Sequence, residues 1–349
     1  MQVSVKPFGS YQGKDYHEIL ITSPTGTQIS FCDLGARINR WGILNEKGHY
    51  EQIILGHQNA EEVFVSGSYY GATVGRVAGR IKKGQFSIDG KAYQVEQNDK
   101  DNHLHGGIDG LDLAQFNYEI VEEEGTVKLI FTTIDPDGHN HYPGQVNLKV
   151  VHTYDQDDRW TVTYEATSDQ ATLFNPTNHV YFNLNGDNQA PISNHHLTVK
   201  APTYLPLAPD TTPLGHEASV AGTVFDLRKG QDLATVLQAD EPQFAFTKGF
   251  DHPFIVKDQP GPQAILSLEA KGRSLQVRTD QVALVIYTHG YPAAIDKIWG
   301  QPLGQYAGIT FESQNLPDAI NNPLYGDTVL RPGQTYRAHT SYRLVRDAV

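Results

Sequence analysis

Two segments, Val146-Asn-Leu-Lys-Val-Val-His-Thr-Tyr154 and Trp160-Thr-Val-Thr-Tyr-Glu165, carry the pattern that decides the fold. In both, apolar and polar side chains alternate with a period of two, as in a strand that buries one face. The acidic turn from Asp155 to Arg159 joins them. This pattern predicts two adjacent strands of an antiparallel sheet.

The same alternation recurs along the chain. Val127 to Thr133 predicts a further strand, and Phe86–Ile88 and Ala92–Val95 flank Asp89-Gly90, which favours a type I′ hairpin turn. A half-buried strand that closes the sheet is predicted near the end, where one set of residues alternates with polar neighbours: Tyr336, Ala338, Thr340, Tyr342 and Leu344.

Helical patterns are confined to two short pieces, Asn59 to Val65 and Asp232 to Ala239. The 32 Gly and 19 Pro residues predict frequent turns and few long helices. With 39% apolar residues among 349, the chain can bury a sizeable core, and no linker-like segment divides it. We expect an all-β protein, an antiparallel sandwich or related architecture, in one domain over residues 1–349.

The net charge and the cysteine content limit which kinds of partner and which cellular compartment are expected. The formal net charge of −13 disfavours nucleic acid, whose phosphates would be repelled. Cys32 is the only cysteine, which favours a reducing compartment. The segment Met1–Ser10 lacks a signal peptide's apolar run, and no stretch approaches the roughly 18 consecutive apolar residues of a membrane helix. We expect a cytoplasmic protein without a membrane partner.

The segment Asn175-Pro-Thr-Asn-His-Val-Tyr-Phe-Asn-Leu-Asn-Gly186 is unusually polar, with four Asn and one His in twelve residues. A core strand rarely carries so many amides, because each buried amide needs hydrogen-bond partners. His179 in this setting suits a proton donor beside a hydroxyl-rich ligand. A polar loop with a solvated His is the plainer alternative, and other polar clusters along the chain weigh against it.

The first of these clusters, Gly71–Ile81, is rich in glycine, but it has no Lys-Ser/Thr ending and a hairpin follows it instead of a helix. A phosphate loop is therefore disfavoured. Arg80 could instead aim its fixed donors at sugar hydroxyls, or form an ordinary surface salt bridge.

The second cluster, Asn102-His-Leu-His-Gly-Gly107, holds His103 and His105, which would share one face of a strand. His139 and His141 repeat this spacing, so the two pairs form a metal hypothesis. No acidic residue lies at a telling spacing, however, and the glycines after His105 favour a ligand-binding loop. We expect neither a metal nor a cofactor.

Two carboxylates complete the set of candidates. Asp251 lies between aromatic residues in Gly249-Phe-Asp-His-Pro-Phe254, which suits a sugar site, although an Asx turn is the alternative. Glu312 lies near the end of a predicted strand in Gly308–Asp318. A carboxylate there could act as a general base, and a solvated edge residue is the alternative.

The clusters resemble, in this order, the aldose 1-epimerase (galactose mutarotase) family: His-Gly-Gly at 105–107, Asn-Pro-Thr-Asn-His at 175–179, Asp-His-Pro at 251–253 and Glu-Ser-Gln at 312–314. The resemblance runs from about Phe31 to the final strand. It implies a large antiparallel β-sandwich of the galactose mutarotase-like supersandwich type. It also implies a cofactor-free isomerase that interconverts the α and β anomers of free aldohexoses such as galactose and glucose.

The matching positions imply roles for six residues. Glu312 would be the general base and His179 the general acid, while four residues would hold the sugar: Arg80, His105, Tyr181 and Asp251. Glu312 would take the proton of the C1 hydroxyl as His179 protonates the ring oxygen, so that the ring opens and recloses on either face. We therefore expect His179 to be protonated and Glu312 ionised near neutral pH.

Departures from the family leave the substrate open. Gly79 stands where the family often has Asn, Val285 where Gln is frequent, and Tyr287-Thr-His-Gly290 where Tyr-Thr-Gly-Asn is usual. Fewer polar contacts at the edge of the site raise the alternative of a preference for a reducing disaccharide such as maltose.

Four alternative functions from other classes are also compatible with parts of this pattern. They are a non-catalytic carbohydrate-binding relative, a glycoside hydrolase that pairs Asp251 with Glu312, a sugar-phosphate epimerase and a metal-dependent lyase or isomerase. The expected partner is a small-molecule sugar, and the expected state is a monomer or homodimer.

Overall fold

The computed structural model describes residues 1–66, 69–187 and 189–347. Its strands, in chain order, are β1 (Gln2–Tyr11), β2 (Lys14–Thr22), β3 (Gln28–Cys32), β4 (Arg37–Leu44), β5 (Tyr50–Gln52), β6 (Thr73–Val74), β7 (Arg80–Ile81), β8 (Gln85–Ile88), β9 (Lys91–Gln94), β10 (His103–Leu104), β11 (Asn117–Glu123), β12 (Thr126–Asp135), β13 (Val146–Asp155), β14 (Arg159–Ser168), β15 (Thr172–Leu173), β16 (Thr177–Asn178), β17 (Tyr181–Phe182), β18 (His196–Val199), β19 (Thr203–Tyr204), β20 (Ala218–Ser219), β21 (Gln231–Asp232), β22 (Asp251–Ile255), β23 (Ala264–Leu268), β24 (Arg273–Thr279), β25 (Ala283–Tyr287), β26 (Lys297–Ile298), β27 (Gln301–Pro302), β28 (Ile309–Thr310), β29 (Glu312–Gln314), β30 (Val329–Leu330) and β31 (Tyr336–Arg346). The helices are α1 (Ala60–Ser66), α2 (Leu233–Leu237) and α3 (Phe244–Thr247). Single 3-10 turns occur at Lys82–Gly84, His139–His141, Ile192–Asn194, Glu269–Lys271, Ala319–Asn321 and Pro323–Tyr325.

Three sheets hold most of these strands. The first has the order β1-β2-β3-β4-β5, and the second has nine strands in the order β11-β12-β13-β14-β31-β24-β23-β18-β21. The third has the order β20-β19-β22-β25-β29. Neighbouring strands in them run antiparallel, so the prediction of an all-β antiparallel protein is confirmed.

The hairpin that the opening segments predict is β13–β14, in which Tyr154 lies opposite Trp160. Its turn is held by a side chain, because Asp155 Oδ1 accepts the backbone N–H groups of Asp157 and Arg159. Along both strands the residues of one face are buried and those of the other are mostly half-buried. The period of two therefore reported the buried face correctly.

The last strand, β31, keeps its predicted alternation, with Ala338, Thr340, Tyr342 and Leu344 buried. Its place differs from the expectation that it closes the sheet. It lies inside the nine-stranded sheet, between β14 and β24, where Tyr342 faces both Trp160 and Val277. Alternation reports which face is buried, but it says nothing about whether a strand's backbone edges are paired.

The shorter predictions also hold. In the β8–β9 hairpin Asp89 and Gly90 both have positive φ, 51° and 80°, as a type I′ turn requires. Helix α1 begins after Asn59, whose Oδ1 accepts the N–H of Glu62. Helix α2 ends two residues before Ala239, and α3 was not predicted. No helix within the described residues has the length and apolar character needed to cross a bilayer.

Trp160 joins the first sheet to the nine-stranded sheet. Its ring stacks on Tyr342 at 4.7 Å between centroids and meets Trp41 of β4 edge-on at 6.3 Å. Its Nε1–H donates to His152 Nδ1 at 3.1 Å, and the other ring nitrogen of His152 lies 2.8 Å from the carbonyl oxygen of Ala36. The polar ring atoms of Trp160 and His152 are therefore paired, as burial requires, whereas Nε1 of Trp41 has no hydrogen-bond partner among the described residues.

We expect Trp160→Ala to lower the free energy of unfolding by about 3–5 kcal/mol, because it leaves a cavity between two sheets and an unpaired His152 nitrogen. Denaturant unfolding followed by circular dichroism measures this loss. Thr161→Ala, on the outer face of the same strand, is the matched control and should stay within about 0.5 kcal/mol of the parent. Equal losses in the two variants would contradict the role of Trp160.

Candidate active site

One cavity of about 540 Å³ collects all six side chains that the sequence singled out. They are Arg80, His105, His179, Tyr181, Asp251 and Glu312. Its remaining wall includes charged, aromatic and apolar residues: Tyr69, Asp99, Lys100, Leu207, Pro213, Phe246, Val285, Tyr287 and Tyr291. Concave sites of this size, with a few convergent polar groups, are typical of small-molecule binding.

Antiparallel register in the third sheet brings the two carboxylates together. Asp251, the first residue of β22, lies opposite Tyr287 in β25, and Glu312 of β29 lies opposite Val285 in the same strand. Asp251 and Glu312 therefore approach the cavity from the two sides of β25. In the sequence they are 61 positions apart, so only strand pairing reveals their proximity.

His179 and Glu312 form a buried ionisable pair in the cavity. Nε2 of His179 lies 3.3 Å from Oε1 of Glu312, and the side chains are only 5% and 3% exposed. The backbone of His179 is held in place because its N–H donates to Ala72 O and its carbonyl accepts from the N–H of Gly71. A proton can pass between the two side chains without leaving the protein.

Burial shifts both members of this pair toward their uncharged forms. It lowers the pKa of His179 to about 4 and raises the pKa of Glu312 to about 8. Opposing influences on the pKa of Glu312 come from the Thr310 hydroxyl and from the charge of Arg80. In this structure the shared proton therefore favours Glu312. This distribution is the reverse of the expected protonated His179 and ionised Glu312.

The asparagines around His179 support the backbone. Asn175 bonds the N–H and carbonyl of Asn315, Asn178 donates to Gly71 O, and Asn183 donates to the carbonyls of Ala190 and Ala307. The amides that marked this segment as polar are thus engaged inside the protein. Of the residues in the segment, His179 and Tyr181 line the cavity.

A local turn sets the direction and the tautomer of His105. Strand β10 ends at Leu104, and His105 has a φ of 52°. Its N–H donates to Gly79 O, and its Nδ1 accepts the N–H of Gly79 at 3.2 Å. A neutral ring that accepts at Nδ1 carries its proton on Nε2. Burial keeps the pKa of His105 well below its ordinary value, so the neutral ring presents an N–H donor.

The expectation that His103 and His105 share a strand face is wrong, because the left-handed turn at His105 breaks the alternation. His103 bonds Glu96 O through Nδ1 and the hydroxyl of Tyr142 through Nε2. His139 is paired with Asp135 through Nδ1. Both ring nitrogens of His103 therefore bond other parts of the protein, so a metal site made of the two His-x-His pairs would lack this ligand.

A different trio does come together, since His105, His179 and Glu312 have ligand atoms within 4.8 Å of one another. Metal-binding histidines normally donate their remaining N–H to an acceptor. The remaining nitrogen of His105 instead faces the donor N–H of Gly79. This tautomer fits a hydroxyl oxygen better than a metal ion.

Arg80 is oriented by two carboxylates. Its Nε donates to Asp99 Oδ2 at 2.7 Å, and its Nη1 lies 3.6 Å from Asp251 Oδ2. Burial raises the pKa of Asp251 to about 6, against the opposing charge of Arg80. With Lys100 and Glu312, the cavity lining holds two cationic and three carboxylate side chains. This balance suits an uncharged ligand better than a phosphate ester.

Aromatic residues that the sequence reasoning missed form much of the wall. Tyr69 contacts the ring of His105 edge-on at 4.8 Å and that of His179 at 5.6 Å. Tyr291, 55% exposed, lies at the mouth, and its hydroxyl donates to Phe246 O. The adjacency of Tyr69 to the glycine-rich segment was the one available signal. No sequence motif near Phe246 or Tyr291 indicates that these residues line the cavity.

Comparison with known proteins identifies close relatives. The aldose 1-epimerase family profile matches residues 17–343. Galactose mutarotase from Homo sapiens is 35% identical over 318 residues, covering 90% of each chain. Aldose 1-epimerase from Escherichia coli K12 is 30% identical over 340 residues, covering 96% of this chain and 97% of that one.

Solved structures of similar proteins support the same family relationship. Galactose 1-epimerase from Lactobacillus acidophilus aligns with a TM-score of 0.88 at 31% identity, over 99% of each chain. An aldose epimerase homologue from C. elegans aligns with a TM-score of 0.84 at 25% identity, over 94% of this chain and 98% of that one. The prediction of a galactose mutarotase-like sandwich is confirmed, and the chain belongs to the aldose 1-epimerase family of isomerases.

Proposed function

We propose that this aldose 1-epimerase interconverts the α and β anomers of free aldohexoses such as galactose and glucose, with Glu312 as general base and His179 as general acid. The observation that carries the proposal is the 3.3 Å approach of His179 Nε2 to Glu312 Oε1 inside a buried cavity lined by hydroxyl-binding groups. Relatives named galactose mutarotase support galactose as a substrate.

The reaction needs two coupled proton transfers. Glu312 takes the proton from the C1 hydroxyl, and His179 gives a proton to the ring oxygen as the C1–O5 bond breaks. The open-chain aldehyde rotates about C1–C2, and the reverse transfers close the ring on either face. Acting together, the acid and base avoid a full alkoxide or oxocarbenium charge, and each transfer contributes about 10²–10⁴-fold.

The pair is ready for catalysis when it holds one proton. In this structure that proton favours Glu312, and its transfer across 3.3 Å to His179 produces the ionised base and the protonated acid. No proton from solvent is needed, because the two states differ only in where the proton lies. Donors near Glu312, namely the Thr310 hydroxyl, Arg80 and a sugar hydroxyl, favour the ionised state.

The remaining residues hold the sugar. Arg80 and the Nε2–H of His105 donate to hydroxyl oxygens, Asp251 accepts from hydroxyl groups, and Tyr181 lines the wall beside His179 at 5.1 Å between rings. These roles account for four buried or half-buried polar groups facing one cavity. A non-catalytic binding protein would need the same groups but not the shared-proton pair.

A reducing disaccharide is the second candidate substrate. Phe246 and Tyr291 offer aromatic surface at the mouth of the cavity, away from the acid–base pair. Aromatic faces pack well against the apolar C–H face of a sugar ring. A second ring extending out of the site would contact these two side chains.

We further propose one domain, a cytoplasmic location and a monomeric or homodimeric state. The largest cluster of buried apolar residues contains members from Ile19 to Leu344, which supports one domain. The single cysteine, Cys32, is buried and unpaired, as suits a reducing compartment.

The Glu312→Gln variant is expected to lose about 10²–10⁴-fold in kcat, because the change is nearly isosteric and removes the base. Polarimetry on freshly dissolved α-D-galactose and α-D-glucose, corrected for the buffer rate, measures it. Glu122→Gln, on an exposed strand position, is the control and should match the parent. Full activity in Glu312→Gln would refute the assignment of the base.

The kcat/KM profile is expected to be bell-shaped, with limbs near pH 4 and pH 8, since it reports the free enzyme. Below the lower limb the pair gains a second proton and Glu312 can no longer act as base. Above the upper limb the pair loses its only proton and His179 can no longer act as acid. Because His179 and Glu312 share a proton, the two apparent pKa values of the profile describe the pair and not either residue alone. A profile that stays flat from pH 5 to 9 would contradict the mechanism.

If the mouth binds a second sugar ring, Tyr291→Ala should lower the ratio of kcat/KM for maltose to that for glucose by roughly 2–10-fold, the loss of one aromatic contact. Initial anomerisation rates on maltose, glucose and galactose measure this ratio in both proteins. A strong preference of the parent for galactose over maltose, or an unchanged ratio in the variant, would remove the disaccharide candidate.

A further inference from the structure

We propose that Thr310 is a positioning residue that orients the base, by holding Oε1 of Glu312 and leaving Oε2 as the oxygen that takes the proton from the sugar. The inference rests on the proposed function of Glu312. It assigns to Thr310 a role that neither residue type nor motif position indicates.

The placement of Thr310 follows from strand geometry. Thr310 ends β28 and Glu312 begins β29, so the two side chains, two residues apart in extended chain, project toward the same side. Thr310 is fully buried, and Glu312 is 3% exposed. A hydroxyl at this position cannot reach solvent and must find its partners within the protein.

The end of a strand ladder fixes the direction of this hydroxyl. Pairing of β25 with β29 extends as far as Val285 opposite Glu312, which leaves the N–H of Tyr287 beyond the ladder. That N–H donates to Thr310 Oγ1 at 3.2 Å. Because Oγ1 accepts there, its own proton is free to donate, and Glu312 Oε1 lies 3.1 Å away.

The two oxygens of Glu312 are therefore not equivalent. Oε1 has Thr310 Oγ1 on one side and His179 Nε2 at 3.3 Å on the other. Among the described residues no side chain or backbone group forms a hydrogen bond with Oε2. Oε2 then accepts the proton of the anomeric O1–H, the O–H electron pair becomes the carbonyl bond at C1, and the C1–O5 pair takes the proton of His179.

A fixed donor on Oε1 also favours the ionised carboxylate, which burial disfavours. The same hydroxyl stabilises the uncharged carboxyl less than it stabilises the carboxylate. Removing the hydroxyl should thus disfavour the catalytic state of the shared-proton pair and make the last proton harder to remove.

The test compares Thr310→Val, which keeps the shape and removes the hydroxyl, with Thr310→Ser, which keeps the hydroxyl. We expect Val to lower kcat on galactose by roughly 10–100-fold and to move the alkaline limb of the pH profile upward by about 1–2 units, the effect of losing one hydrogen bond to a charged group. Ser should retain both the rate and the limb. A packing defect alone would lower the rate without moving the limb.

Isotope-edited infrared spectroscopy of the Glu312 carboxyl, read against Glu312→Gln, gives a second readout that does not depend on turnover. A carboxyl pKa that is the same in the parent and in folded Thr310→Val would overturn the inference, and Thr310→Ala serves if Val does not fold. Inactivity of the parent on aldohexoses, together with a raised carboxyl pKa in the Val variant, would refute the proposed function and still support positioning by Thr310.

Discussion

Exclusion of water from the contact between Glu312 and His179 is the constraint on which the site depends. Burial lowers the pKa of the imidazole and raises that of the carboxyl, so one proton is shared between groups 3.3 Å apart. Such a pair can give and take a proton near neutral pH, whereas in water the Glu312 carboxyl would stay ionised at that pH. Arg80 and Thr310 act against the desolvation and favour the ionised form of the Glu312 carboxyl.

The scaffold supplies this dry environment through sheet packing. The aromatic core around Trp160 joins the first sheet to the nine-stranded sheet, and the third sheet carries Asp251 and Glu312 on either side of β25. Glu312 is mounted on a paired strand, and the backbone N–H and carbonyl of His179 are both hydrogen-bonded, so the two side chains have little freedom to move. This rigidity suits the two proton transfers of the proposed mechanism, which must occur together. The cavity mouth is formed instead by residues outside strands, such as Tyr291.

Backbone groups do much of the positioning. Gly79 bonds both the main chain and the ring of His105, and so decides that its free nitrogen is a donor. The N–H of Tyr287 decides which way the Thr310 hydroxyl points. The polar asparagines near His179 bond the main chain of neighbouring segments. Residue type alone suggested ligand contacts for them, since an amide can serve either purpose.

The amino-acid sequence by itself determined the antiparallel β class, the Asp89-Gly90 turn and the buried faces of β13, β14 and β31, because these depend on local alternation and turn chemistry. Its motifs also indicated the six cavity residues through resemblance to a family. Only the tertiary structure decided that β31 lies inside its sheet, that His103 turns away from His105, and that Thr310 contacts Glu312. It also decided the charge balance of the pair, because desolvation depends on what surrounds a side chain in space and not on its neighbours in the chain.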